Sequence, residues 1–245
     1  MTFSSAIEAC RVPDERLAGA YEGTSAPYRS WIKTTLALAE AVFPALPSRS
    51  ETKIENGAAG FGFARTETPA PWAVLLIGEG YASAVRLAAA IMPARLAGVE
   101  PIIAVWTGRP DAAPSALFAA LELTGVEQVF AIPDPAPLLR ELSGQGRVLA
   151  FGATDVPSPH PCWRDRAPRI AADALPDETL IRWAHPDALP ADDGTDVVYE
   201  GQFVIGDAGE PLVLGRGLEG CWLHADLTPG FFMNTRLELS VADAD

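Results

Sequence analysis

Pro71-Trp-Ala-Val-Leu-Leu-Ile-Gly-Glu-Gly-Tyr81 decides how this chain folds. Trp72 to Ile77 is apolar without interruption, the pattern of a strand covered on both faces rather than one wetted on alternate residues. Gly78-Glu-Gly-Tyr81 breaks the run, and an alanine-rich segment follows to Gly98. Within it Val85, Ala88, Ala89, Met92 and Leu96 recur at the spacing of one helical face, and Gly98 suits the position just past a helix end. The pattern then repeats. Pro101 to Trp106, Gln128 to Ile132 and Arg147 to Phe151 are short apolar runs, and between them lie helical segments at Ser115–Gly125 and Asp134–Gly144. Short apolar runs alternating with helical periods mean parallel strands joined by crossover helices. The expectation is a three-layer α/β fold whose parallel sheet uses strands near 72–77, 101–106, 128–132 and 147–151.

Outward from that centre the signals weaken. Ser4 to Cys10 reads as a short helix, and Gly19 and Gly23 break any regular pattern before residue 25. From Pro27 to Phe43 the residues Trp31, Leu36, Leu38, Ala39, Val42 and Phe43 define an amphipathic helix, opened by Pro27 and closed by Pro44 and Pro47. Asn56-Gly57 marks a tight turn, so residues 52–66 are expected to form a hairpin. Pro93 lies inside the helix after the first strand, where proline removes a hydrogen bond at a cost of about 3 kcal/mol, so a kink or two shorter pieces is expected. Asp134 is placed as the N-cap of the last crossover helix. Beyond Gly152 the prolines at 157, 159, 161 and 168 mark an irregular crossing. Residues 169–173 read as a short strand and 176–184 as a short helix. Five strand-like runs between Thr195 and Leu239 then suggest an antiparallel meander, either an extension of the sheet or a subdomain. The expected organisation is an N-terminal helix and hairpin over 1–68, the α/β core over 69–155 and a β-rich portion over 156–245.

The net charge of −14 argues against nucleic acid or an anionic membrane as partner, since phosphate binding relies on clustered Lys and Arg. From Asp173 to Asp245 there are 15 acids against three arginines, so nearly the whole excess lies in the last third, where it mainly favours solubility. No apolar run reaches the ~20 residues that cross a bilayer. Met1 to Cys10 lacks the basic and apolar regions of a secretion signal. A cytoplasmic location is expected, and the three scattered cysteines do not form a disulfide framework. A small molecule or a protein is the partner class left, with a homo-oligomer open.

In an open parallel sheet, ligands bind outside the carboxyl ends of the strands. Here those ends are Gly78-Glu-Gly-Tyr81, Thr107-Gly-Arg109, Pro133-Asp134 and Gly152-Ala-Thr154. The expected ligand contacts are Gly78, Glu79, Gly80, Tyr81, Thr107, Gly108, Arg109 and Thr154. Glycine lets a ligand approach the backbone, Arg109 can answer an acid, and Glu79 an amine or a ribose hydroxyl. The alternative is that these glycines only make tight turns. Position 83 is Ser, so the loop is not Gly-x-Gly-x-x-Gly, and Asp111 is too distant for the usual ribose acid. His160, Cys162, Cys221 and His224 together offer two sulfurs and two imidazoles, a set that zinc accepts. Nothing in the spacing brings the two pairs together, so they also read as ordinary loop and strand residues. His185 has no evident partner.

Three segments carry a resemblance: Ala73-Val-Leu-Leu-Ile-Gly78 with Tyr81-Ala-Ser-Ala-Val85, Ala90-Ile-Met-Pro-Ala-Arg-Leu-Ala-Gly-Val99, and Ala120-Leu-Glu-Leu-Thr-Gly-Val-Glu-Gln-Val-Phe130. Over about residues 70–133 the chain resembles one nucleotide-binding-type, Rossmann-like domain of histidinol dehydrogenase, within the aldehyde/histidinol dehydrogenase superfamily. That family has a proline in the matching helix. The shared residues are packing residues. The family's second Rossmann-like half, with its Gly-Pro-Ser-Glu and proton-transfer residues, has no counterpart here. Cys162 and Cys221 do not match the nucleophilic cysteine of the aldehyde branch, so no catalytic residue carries over. The resemblance implies a binding protein derived from a dehydrogenase-type domain, for a small molecule or a protein partner. The alternative is an NAD(P)-dependent oxidoreductase, with NAD as its cofactor and a partner subunit supplying the missing half.

Overall fold

The computed structural model describes residues 3–56, 60–152, 154, 159–165, 182–184, 197–199, 218 and 220–241. Five parallel strands form the centre: β3 (Ala73–Ile77), β4 (Ile102–Trp106), β5 (Gln128–Ala131), β6 (Arg147–Phe151) and β7 (Cys162–Arg164), in the order β5-β4-β3-β6-β7. The chain enters at the middle of the sheet. It runs out through α4 (Ala84–Leu96) and α5 (Ser115–Leu123) to β5, then returns through α6 (Ala136–Glu141) to β6 on the other side of β3. This is a Rossmann-like, doubly wound order.

The uninterrupted apolar run of β3 serves two cores. Ala73, Leu75 and Ile77 face α4 and α5 together with Ala104, Trp106, Leu149 and Phe151. Trp72, Val74 and Leu76 face the opposite way, onto Leu138 and Leu142 from α6 and Phe3 and Ile7 from α1 (Ser5–Glu8) and its approach. Trp72 is fully buried and donates its indole N–H to the Ser143 carbonyl at 2.8 Å. A Cβ on Gly146 would lie 2.1 Å from that ring, so only glycine fits there.

Helix α4 is buried from Ala84 to Ala94, between the sheet and α3 (Ala26–Val42). It neither breaks nor divides at Pro93: burial of the ring and its neighbours Met92 and Ala94 offsets the lost hydrogen bond. Gly19 does not break the chain either. It lies within α2 (Asp14–Gly23), where Leu17 and Ala20 pack toward α5 and Arg16 lies over the Phe118 ring. Tertiary packing there overrides a glycine cost of about 1 kcal/mol. Helix α6 begins at Ala136, and the Asp134 carboxylate accepts the Ala136 N–H at 3.0 Å.

A second sheet is antiparallel, in the order β1 (Ser50–Asn56), β2 (Phe61–Pro69) and β10 (Met233–Val241). The hairpin expected around Asn56-Gly57 is its first half. This sheet grows from the amino end of β3, the end away from the crossover loops. Arg147, at the amino end of β6, ties it down by donating from Nε to the Phe231 carbonyl and from Nη2 to the Met233 carbonyl. The C-terminal portion departs from expectation. Residues 182–184, expected in a helix, are the strand β8 (Arg182–Ala184), which pairs with β9 (Val197–Tyr199) in parallel, not antiparallel. Residues 221–224 form no strand. The runs at 169–173, 202–205 and 211–214 lie outside the described residues. Among the described residues no helix is long and apolar enough to cross a membrane.

Candidate functional site

The carboxyl ends of β3 and β6 lie side by side where the strand order reverses, the place at which open α/β sheets bind ligands. The residues expected at the strand ends meet there. The Gly78 N–H donates to the Phe151 carbonyl at 2.8 Å, and the Tyr81 N–H to the Gly78 carbonyl at 3.2 Å. Gly152 has φ +70°, and a Cβ on it would lie 3.2 Å from the Tyr81 Cβ. Thr107 joins through its N–H and its hydroxyl, both donating to the Ile77 carbonyl, at 2.9 and 3.2 Å. Glu79 and Arg109 are exposed at the mouth, with Oε1 and Nε 3.9 Å apart. Gly108 is buried, and a Cβ there would lie 2.7 Å from the Trp106 indole, whose N–H donates to the Arg109 carbonyl. Thr154 is buried, and its hydroxyl has no hydrogen-bond partner among the described residues.

Tyr81 turns away from this mouth. Its ring lies 5.3 Å from that of Phe151, and its hydroxyl donates to Asp165 Oδ2 at 3.0 Å. The other carboxylate oxygen of Asp165 accepts from Arg86 Nη2, in an ion pair with side chains 2% and 7% exposed respectively. Asp165 is held at the end of β7, where its N–H donates to the Ala150 carbonyl. Behind it, His224 Nε2 lies 3.0 Å from the Arg86 carbonyl, and the Trp222 indole N–H donates to His224 Nδ1 at 3.2 Å. Nδ1 is thus an acceptor, which leaves Nε2 as the protonated nitrogen of a neutral ring. Burial holds the His224 imidazole below its ordinary pKa. The Tyr81 phenol is pushed well above its ordinary value by burial first and the Asp165 carboxylate second. Trp163 closes the cluster, edge-on to His224 at 4.7 Å and donating to Asp226. Chemically the cluster holds protons in place; its neutral imidazole and protonated phenol face the interior.

The loop after β3 runs from Gly78 to Ser83 before α4 begins, and the first helical N–H, of Ala84, is taken by the Tyr28 hydroxyl at 3.2 Å. One of the free N–H groups at the helix start is therefore occupied, and Glu79 adds negative charge at the mouth. The four candidate zinc ligands also divide. His160 packs edge-on to Trp72 at 4.7 Å, on the α6 face, whereas His224 lies on the α4 face. Cys162 is exposed at one edge and Cys221 is buried. Among the described residues no group of three or more His, Cys, Asp or Glu is placed to hold a metal. His185 lies outside the described residues.

Sequence reasoning missed Arg86, Asp165 and Trp163, because β7 is only three residues long and flanked by prolines. One signal was present: an arginine three residues into an alanine-rich, otherwise apolar helix needs a buried carboxylate.

No protein-family model matches the chain, and no curated protein matches it. Among solved structures it is similar to histidinol dehydrogenase from Elizabethkingia anophelis, with a TM-score of 0.47 and 17% identity, over 60% of this chain and 35% of that one. The chain thus corresponds to about a third of that enzyme's length, and the likeness transfers neither activity nor site residues.

Proposed function

We propose that this chain is a binding protein for a small polar molecule, seated in the crevice between the carboxyl ends of β3 and β6. The observation that carries the reading is the Thr154 hydroxyl, buried two residues past Gly152 at the carboxyl end of β6, without a partner among the described residues. A buried polar group left unpaired costs about 1–3 kcal/mol, which a ligand oxygen or nitrogen recovers. Gly80, with φ +85° and open space where a Cβ would be, and the exposed carboxylate of Glu79 frame the entrance. With Arg109 facing Glu79, the pair suits a molecule carrying an acid together with an amine or hydroxyl. Binding without turnover fits the closed Tyr81–Asp165–Arg86 cluster, whose titratable groups are occupied with one another.

Chemical-shift mapping with a library of small hydroxy and amino acids tests this. Expected are shifts at residues 78–81 and at Thr107 or Thr154, abolished by Thr154→Val. Shifts confined to residues 220–241 would place the site elsewhere. Titration with NAD and NADP is expected to show no binding; micromolar affinity with substrate-dependent reduction would instead make the chain an oxidoreductase.

A further inference from the structure

The antiparallel sheet carries an apolar face that nothing among the described residues covers. Partners across the strands share a face. The register aligns Ile54 with Phe63 and Leu239, Phe61 with Val241, and Arg65 with Leu237. All six of these apolar side chains are exposed, Leu239 at 84%, Val241 at 78% and Phe61 at 63%. The opposite face of the same strands is polar, with Glu51, Lys53, Glu55, Arg236 and Glu238. The pattern is that of a half-buried strand, apolar on one side and wet on the other, yet here the apolar side is the bare one.

We infer that this face is the contact with a second copy of the chain, packed sheet on sheet about a two-fold axis. Three observations select that occupant. The six side chains are 36–84% exposed and contiguous across three strands, a larger bare apolar patch than monomers ordinarily keep, whose largest runs to ~300–600 Å², and of the order of the ~800 Å² per partner of a standard interface. The face is neutral although the chain carries −14: its charges are Arg65 and Glu67, which pair with each other. Two copies therefore meet there without the repulsion that the rest of the surface would impose, and no charge selects a different partner. The rows are also uniformly apolar, Ile54-Phe63-Leu239 beside Phe61-Val241, so the same patch on a second copy can cover them, as a two-fold contact requires. Facing sheets then pack at about 10 Å, with the two sets of side chains interdigitated.

Sedimentation equilibrium of the full chain between 1 and 100 μM tests the assignment. The expected result is twice the chain mass of 25.9 kDa. Leu239→Glu, Phe61→Lys and Ile54→Lys each bury unpaired charge in the apolar contact and are expected to return a single chain mass. Their far-UV circular dichroism should be unchanged, because these side chains touch no core residue. Leu239→Asn, a milder change, should weaken the association at least tenfold. Lys53→Glu, on the opposite face, should leave the mass doubled. A single chain mass for the unmodified protein at 100 μM overturns the proposal. So does a doubled mass that survives Ile54→Lys, since pairing through the β10 edge would not involve β1.

Discussion

Replacing Arg86 with methionine keeps the length and apolar stem of the side chain and removes its charge. Asp165 would then retain the Tyr81 hydroxyl, but it would sit 2% exposed without its cation. Leaving one member of a buried pair uncompensated costs about 3–5 kcal/mol, a large share of the ~5–15 kcal/mol by which domains are stable. With a urea m-value of about 3 kcal/mol/M, the midpoint should fall by roughly 1–2 M. The double replacement Arg86→Met with Asp165→Leu removes both charges and should recover part of the loss, because the desolvation cost disappears with them while the buried Tyr81 hydroxyl loses its acceptor at about 1–3 kcal/mol. Urea titration followed by tryptophan fluorescence reads both, since Trp163 and Trp222 line the cluster. An Arg86→Met midpoint within 0.3 M (about 1 kcal/mol) of the parent would refute the reasoning. So would a double variant less stable than the single one.

Thr154→Val should leave stability unchanged or raise it by about 1 kcal/mol, since it removes a buried hydroxyl without a partner among the described residues; a loss above 1 kcal/mol in thermal denaturation would mean that the hydroxyl is satisfied. Gly146→Ala should cost about 1–3 kcal/mol by driving a methyl into Trp72, read as a lowered melting temperature. His224 gives a pH dependence. Its folded pKa lies below the unfolded value near 6.5, so the unfolded chain takes up a proton that the folded chain refuses. Stability should therefore hold above about pH 7 and decline as pH falls through 6.5 toward the lowered folded value, by up to ~1.4 kcal/mol per unit. His224→Gln should flatten that decline, and urea midpoints at pH 7.5, 6.5 and 5.5 decide it.

The parallel core was legible because its strands are buried on both sides. Trp72–Ile77, Ile102–Trp106 and Val148–Phe151 must be apolar at successive positions, a pattern few other structures demand. The glycines at 98 and 125 marked helix ends for the same direct reason: both have positive φ. Helix α2 was obscured because its cohesion comes from contacts with α5, which local propensity around Gly19 does not encode. β7 escaped for the opposite reason: three residues cannot display a period, and its place depends on hydrogen bonds to β6. At the crevice, the strand ends named Gly78–Tyr81, Thr107–Arg109 and Thr154. Only coordinates reveal that Tyr81 points inward and that its partner Asp165 comes from 84 residues later.

The pairing of β2 with β10 has a consequence for how the protein is made. Pro69 leaves the ribosome long before Met233, its partner in the ladder. At ~5–20 residues per second, β2 waits roughly 8–30 s with one side unpaired, while the parallel strands that follow it are already emerging. During that interval the nascent hairpin presents the unpaired N–H and C=O groups of β2 as an open edge, a template for pairing with another chain. Slow codons or chaperone capture between β2 and β10 would therefore bear directly on yield, and truncation before residue 233 would leave that edge permanently open.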